Sequence, residues 1–578
     1  MKEFITALLA ADGTIHQDQK ELASILDAQF TSVYSRESTA GPFPPFAPRT
    51  TSRLEHIRIT EDDVRDRLST LKRNKAPGRD GLHPYVLREC ASSLAMPLSI
   101  IFQTSLETGS LPAQWLVANV TPIHKKGSKQ NPANYRPISL TSVVCKVLER
   151  IIRDRVMYYL SSNGLIAKEQ HGFVDKRSCT TNLLETADMT SEALARKMGI
   201  DVVFLDFAKA FDTVPHRRLI IKLEAYGISG PLLTWLGAFL SGRTQRVVLG
   251  EVESEPSPVT SGVPQGSVLG PMLFVVYIND LPDCLTNPCK MFADDTKIIA
   301  TIRKDKCPHD SSSLEDLVAL QSDLNRVTGW ADKWLMSFNV EKCKVMHIRE
   351  GAAKTVPIIN LTMHDPTAGV SRQLATTTLE RDLGVMIASN LKVGPQVDKA
   401  AAKASSILGM LKRTFTCRDE ALWKKLYMTY VRCHLEYAIQ AWSPYQKGDI
   451  EVLERVQHHA SLVPWSMRHL SYTERLAHWE LTTLEERRHR GDMIEMFKIE
   501  NGIDSVSWVA PPGRVAARAQ HREQLRRERN RKCEQREHAF VNRVIPGWNS
   551  LSAEVIKAGE HNKVNQFKNR YDQAHLPA

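Results

Sequence analysis

Between about residues 115 and 345, short apolar runs that stop at carboxylates alternate with longer stretches of helical period. Val202-Val203-Phe204-Leu205 ends on Asp206, and Lys290-Met291-Phe292 passes through Ala293 into Asp294-Asp295. Both have the length and composition of strands. Val268 to Leu281 is apolar almost throughout and follows a Pro/Gly turn, which predicts a buried helix. Leu317, Leu320, Leu324, Val327 and Trp334 recur at helical spacing, the face of a helix that packs on a sheet. This alternation predicts an α+β layer rather than a bundle.

Beyond residue 395 the period is almost wholly helical, with segments around 396–413, 418–441, 449–460 and 483–500. Ahead of the mixed region, a charged helix is expected from about Leu54 to Arg79, with Val64, Leu68 and Leu71 on one face. It leads into a basic turn, Asn74 to Gly81. The prolines between Gly41 and Pro48 forbid regular structure and mark a linker. The apolar start, Phe4 to Ala11, follows Lys2-Glu3 without a convincing cleavage site, so a helix is expected there rather than a signal peptide.

A chain of 578 residues with 42% hydrophobic positions needs several packed lobes. Its formal net charge of +11 favours polyanionic partners such as nucleic acid without demanding them. No uncharged apolar run approaches the roughly 20 residues that cross a bilayer, so a soluble protein is expected, in nucleus or cytoplasm and not secreted. The ten cysteines include no C-x-x-C pair, which suits reduced thiols. Cys284, Cys289, Cys307 and His309 match no common zinc spacing. Residues 511–540 hold eight Arg and one Lys against four Glu, a net of +5, and suit a solvated linker or a nucleic-acid contact equally well.

Asp206 and the Asp294-Asp295 pair carry the chemistry. Like charges placed together beside apolar strands repel strongly unless cations sit between them, and divalent metal is the natural neutraliser. Two such ions suit an in-line phosphoryl displacement, the chemistry of a polymerase. An isolated Asp-Asp pair, by contrast, reads as a solvated turn. Other segments decide between these readings.

Phe292-Ala293-Asp294-Asp295 resembles the Y/F-x-D-D box of reverse transcriptases, Phe204 to Phe211 resembles their first aspartate motif, and Ser261 to Ser267 is similar to their Pro-Gln-Gly motif. Further matches are Asn134 to Leu140, Gln170-His171-Gly172-Phe173, Tyr277 to Pro282, Asn339 to Cys343, Leu383-Gly384-Val385 and His434 to Tyr445, with weaker ones at Asn542-Arg543-Val544 and Trp548 to Leu551. In this order they resemble the polymerases of non-LTR (LINE-type) retrotransposons of the Jockey and chicken-repeat clades. Departures exist: Phe292 stands where many relatives have Tyr, Arg381-Asp382 precede Leu383-Gly384 where an aromatic is usual, and Gln457 to Ala460 replaces a more basic run.

The resemblance implies a right-hand polymerase: fingers, a palm with an antiparallel sheet, a helical thumb and a basic helical C-terminal region. Its expected boundaries are an N-terminal segment and linker at 1–52, fingers and palm at 53–390 (core about 106–387), a thumb-like region at 391–505 and the basic region at 506–578. Asp206, Asp294 and Asp295 would be the metal-binding acids, with Mg²⁺ or Mn²⁺ as cofactor and Phe207 lending its backbone carbonyl. Phe211 would be the steric gate against a 2′-hydroxyl, with a core phenylalanine as its alternative. Arg136 and Lys125 would reach the triphosphate, Gln265 with Gly266 would line the nucleotide pocket, and Lys342 would act as general acid, with Lys344 close enough to compete.

The implied reaction is RNA-templated addition of dNTPs to a DNA 3′ end, with an RNA template and a DNA primer or target as partners and no membrane. No apurinic-type endonuclease precedes residue 50, so nicking would have to come from a missing domain or another protein. No terminal zinc knuckle, G-x-x-x-x-G-K-[ST] loop or H-E-x-x-H motif is found. The competing readings are an inert element remnant that only binds nucleic acid, and an RNA-templated RNA polymerase.

Overall fold

The computed structural model describes the chain except residues 1–4, 11, 38–42, 306–309, 351–353, 367, 516–523, 529–532, 558–563 and 576–578. Its central element is a five-stranded sheet in the order Ala375–Thr376, Lys344–Ile348, Gly199–Leu205, Asp295–Ile302, Cys289–Phe292. All neighbours are antiparallel except the two-residue edge strand.

Successive side chains of a strand point to opposite faces, and here both faces are apolar. Val203, Leu205, Ile298, Ala300 and Val345 join the largest core with Leu317, Leu320, Leu324 and Val327 of the helix Ser312–Lys333. Val202, Ile299, Met346 and Ile348 pack on the other side with Ala193 and Leu194 of the helix Cys179–Ala195. The fold is therefore a mixed α/β layer with helices on both faces of the sheet. The helix Leu269–Ile278 is buried along almost its whole length, as its unbroken apolar run requires.

A second sheet, in the order Tyr135–Leu140, Val117–His124, Thr244–Leu249, Val252–Glu253, stands beside the first, with Ser257–Pro258 also paired to Thr244–Leu249. From residue 394 onward the described elements are helical: Gly394–Thr414, Lys447–Ser461 and Leu484–Glu500 follow the expected periods. No helix among the described residues is long and apolar enough to cross a membrane.

Several expectations are corrected. The helix placed over Leu54 to Arg79 is only Glu61–Ser69. It begins late because Thr60 and Asp63 form a capping box, and Leu71 stays buried just past its end. The apolar start holds a two-residue strand, Leu8–Leu9, paired with Ile15–His16, and the first helix is Gln19–Thr31. The segment around 418–441 is interrupted by a π-turn at Tyr427–Val431 and again at Ala438, whose φ of 49° ends helical geometry. Of the cysteine set, Cys307 and His309 lie outside the described residues, and Cys284 and Cys289 are free thiols.

Candidate active site

Strand register alone brings distant acids together. In the Gly199–Leu205 strand, Leu205 pairs with Thr296, so one step further along the same register Asp206 lies opposite Asp295. On the other flank Phe204 pairs with Lys344, and two steps further Asp206 lies opposite Lys342. Lys342 Nζ stands 3.2 Å from Asp206 Oδ2. The Asp206 backbone is held by the Asn339 N–H, which donates to its carbonyl at 2.7 Å. Phe207 continues the edge by bridging Phe338.

Asp294 sits at the tip of a tight hairpin in which Phe292 pairs with Asp295. Ala293 takes φ 54°, the first-position geometry of a two-residue hairpin turn, although it is not glycine. The strain is held from outside. The Ala293 N–H donates to Gln170 Oε1 at 2.9 Å, across 123 residues of sequence, and the His171 N–H donates to the Met291 carbonyl at 2.9 Å. Gly172 lies so close that a Cβ there would stand 2.4 Å from the Ala293 nitrogen. The motif Gln170-His171-Gly172 is thus the clamp of the acidic tip.

Opposite the tip, the Pro264-Gln265-Gly266 loop is stitched to the Tyr135–Leu140 strand by the Ser139 N–H, which donates to the Gln265 carbonyl at 2.7 Å. Gly266 has φ 120°, and a Cβ there would stand 2.4 Å from the Ser139 carbonyl, so only glycine fits. Gln265 Nε2 donates to Asp212 Oδ1 at 2.7 Å, which fixes its side chain, while burial pushes the Asp212 carboxyl up to about 6. Phe211 is half-buried and stacks on Phe274, with ring centroids 4.3 Å apart and planes 18° apart. One face of the ring packs, and the residue still lines the opening.

A single cleft of about 590 Å³ is lined by Asp206, Asp294, Lys125, Arg136, Phe207, Phe211, Gln265, Gly266 and Lys342. Nine of the ten candidate residues meet there. Asp295 does not: it opens onto an adjoining hollow that Asp206 and Lys342 share. Lys344, the competitor of Lys342, is paired with Glu380 at 2.8 Å and is absent from the cleft wall.

The electrostatics are unbalanced in a telling way. Burial, then the Asp206 charge, pushes the Asp294 carboxyl above its ordinary value. Burial, then Asp294, Asp382 and Asp206, pushes Asp295 up to about 6. Neither has an ion-pair partner among the described residues, and the cation beside Asp206 is a half-exposed lysine. Across the cleft Arg136 and Lys125 have no ion pair among the described residues either, and burial followed by the Arg136 and Lys342 charges pushes the Lys125 ammonium down. Among the described residues no three acidic, His or Cys side chains are gathered closely enough to enclose an ion by themselves. The acids crowd one another in charge without forming a closed shell, and an under-neutralised carboxylate cluster of this kind suits a divalent cation.

Residues 123–392 match the family model of the reverse transcriptase (RNA-dependent DNA polymerase). This stretch is a reverse transcriptase domain. The RNA-directed DNA polymerase from mobile element jockey of Drosophila melanogaster is 31% identical over 288 residues, 49% of this chain and 31% of that protein. The jockey polymerase of Drosophila funebris is 28% identical over 464 residues, 78% of this chain and 48% of its own length. A probable RNA-directed DNA polymerase from transposon BS of Drosophila melanogaster is 25% identical over 424 residues, 70% of this chain and 44% of that protein. The chain thus spans less than half the length of these curated relatives.

The reverse transcriptase domain also holds residues that sequence reasoning passed over. Lys209, at φ 50°, and Asn339 line the cleft, Asp212 orients Gln265, and Gln170 fixes the tip. Gln170 and Asn339 lie inside quoted motifs, so the signal was present. What each one touches is set by tertiary contacts that no local pattern carries.

Proposed function

We propose that the chain is the RNA-directed DNA polymerase of a non-LTR retrotransposon, extending a DNA 3′ end with dNTPs on an RNA template. The observation that carries this reading is one cleft where Asp294, with no ion pair among the described residues, stands beside Asp206 and faces Lys125 and Arg136, which have none there either. In the right-hand description, the two sheets and their helices are palm and fingers, 391–505 is the thumb and 506–578 the basic C-terminal region.

Asp206 and Asp294 would hold the metal, with Asp295 and the Phe207 carbonyl as further ligands. When bound, Mg²⁺ or Mn²⁺ supplies Lewis acidity toward the primer hydroxyl and charge compensation for pyrophosphate. Arg136 grips triphosphate oxygens with its planar fork and Lys125 adds a point charge. Gln265, oriented by Asp212, lines the base side of the pocket, and the Phe211 ring occupies the space a 2′-hydroxyl needs. Lys342 moves from Asp206 to the leaving oxygen and supplies its proton. Template RNA, primer and dNTPs are the partners, and strand nicking is outside this set of residues.

The test is incorporation on poly(rA)/oligo(dT) by the purified chain, with and without Mg²⁺. Mg²⁺-dependent dTTP addition is expected. Retention of the primed template on a filter with no addition would instead identify an inert nucleic-acid-binding remnant.

A further inference from the structure

The basic C-terminal region proves to be neither a free linker nor an open arm at its points of attachment. Outside the matched domain, the N–H groups of Ser505, Ser507 and Val509 donate in turn to the Lys176 carbonyl at 2.7 Å, Glu185 Oε1 at 2.6 Å and Asp188 Oδ2 at 2.7 Å. Alternate residues making these bonds is the period of an extended chain laid along the helix Cys179–Ala195. Arg536 then fastens the same helix. Its side chain is buried, with Nη1 2.6 Å from Asp188 Oδ1 and Nε 3.0 Å from Glu192 Oε2.

Glu185 faces both ways. One oxygen takes the Ser507 N–H, and the other pairs with Lys290 and lies 3.4 Å from His171 Nε2. Lys290 is in the Cys289–Phe292 strand that runs into the acidic tip, and His171 adjoins Gln170, which pins Ala293. From the same helix Asn182 Nδ2 donates to the Met291 carbonyl at 3.1 Å. The Glu185 side chain is 2% exposed, so each partner it loses leaves buried charge or an unmet oxygen, and its bonds stand or fall together.

We propose that the backbone of the segment Ser505 to Val509 braces the polymerase centre from outside it, and that Glu185 is the positioning residue through which it sets the Asp294 tip. The inference rests on the polymerase reading for its effect on rate, but its structural half does not.

Ser507→Pro in the full chain removes one N–H at an exposed position, whereas Ser507→Ala keeps it. The proline variant is expected to lower kcat for dNTP incorporation roughly tenfold with KM for dNTP unchanged. It should also speed amide hydrogen exchange in the peptide spanning 289–297, while the alanine variant matches the original chain in both. Glu185→Gln, which keeps an acceptor for Ser507 and loses the charge facing Lys290, should speed the same exchange and serves if the proline variant does not fold. Unchanged exchange in these variants, or an alanine variant as impaired as the proline one, overturns the proposal. If the original chain incorporates no dNTP, the polymerase reading fails separately, and the exchange comparison still decides whether the C-terminal segment sets the tip.

Discussion

Asp294→Asn is expected to cut dNTP incorporation on a primed RNA about a thousandfold, near 4 kcal/mol of transition-state stabilisation, with the fold intact. The size follows from removing charge at the one place where it is concentrated and unpaired. Asp294 stands at a clamped hairpin tip, faces the cleft beside Asp206 and has no cationic partner among the described residues. Because burial and Asp206 already push its carboxyl up, the neutral amide removes repulsion in the metal-free protein, so Tm should hold or rise. Loss of activity with an unchanged or higher Tm separates a chemical role from a structural one. Incorporation that survives the substitution refutes the assignment of the acid.

Phe211→Val should raise the ratio of ribonucleotide to deoxyribonucleotide incorporation by roughly 10–100-fold, the range a change of a few buried carbons commands. The ring is fixed by its stack on Phe274, so it cannot swing away from a 2′-hydroxyl at little cost. Truncation leaves Phe274 as the pocket floor and opens space above it. Competing labelled UTP against dTTP on the same primed template measures the ratio, and unchanged sugar selectivity removes Phe211 from the gate. An original chain that uses ribonucleotides as readily as deoxyribonucleotides would favour the RNA-templated RNA polymerase.

The strands that end on Asp206 and on Asp294-Asp295 were legible because a short apolar run meeting a carboxylate is unusual and local. The helices from 394 onward were legible because their apolar stripes repeat at 3.6 residues. Three things were not. The Tyr427–Val431 π-turn and the left-handed Ala438 contain no glycine or proline to announce them. Register is a relation between strands, so the placing of Asp295 and Lys342 on opposite flanks of Asp206 could not be read from either strand alone. The burial of Arg536 among Asp188, Glu192 and Glu528 turns part of a seemingly solvated basic tract into an internal clasp, and that too is a tertiary fact.

The separation of Asp295 from the main cleft refines the site in the same way. Adjacent residues on a strand edge point to opposite sides, so a hairpin that aims Asp294 into the nucleotide cleft turns Asp295 toward the adjoining hollow. Asp206 and Lys342 belong to both.

That two acids far apart in the chain hold one divalent ion is tested most directly by titrating Mn²⁺ into the purified chain and its Asp206→Asn and Asp294→Asn variants, with free Mn²⁺ followed by electron paramagnetic resonance. A saturable site in the original chain that is lost in both variants is the expected result. Binding that is equal in all three proteins, or absent from the original chain with primed template and dNTP present, contradicts it.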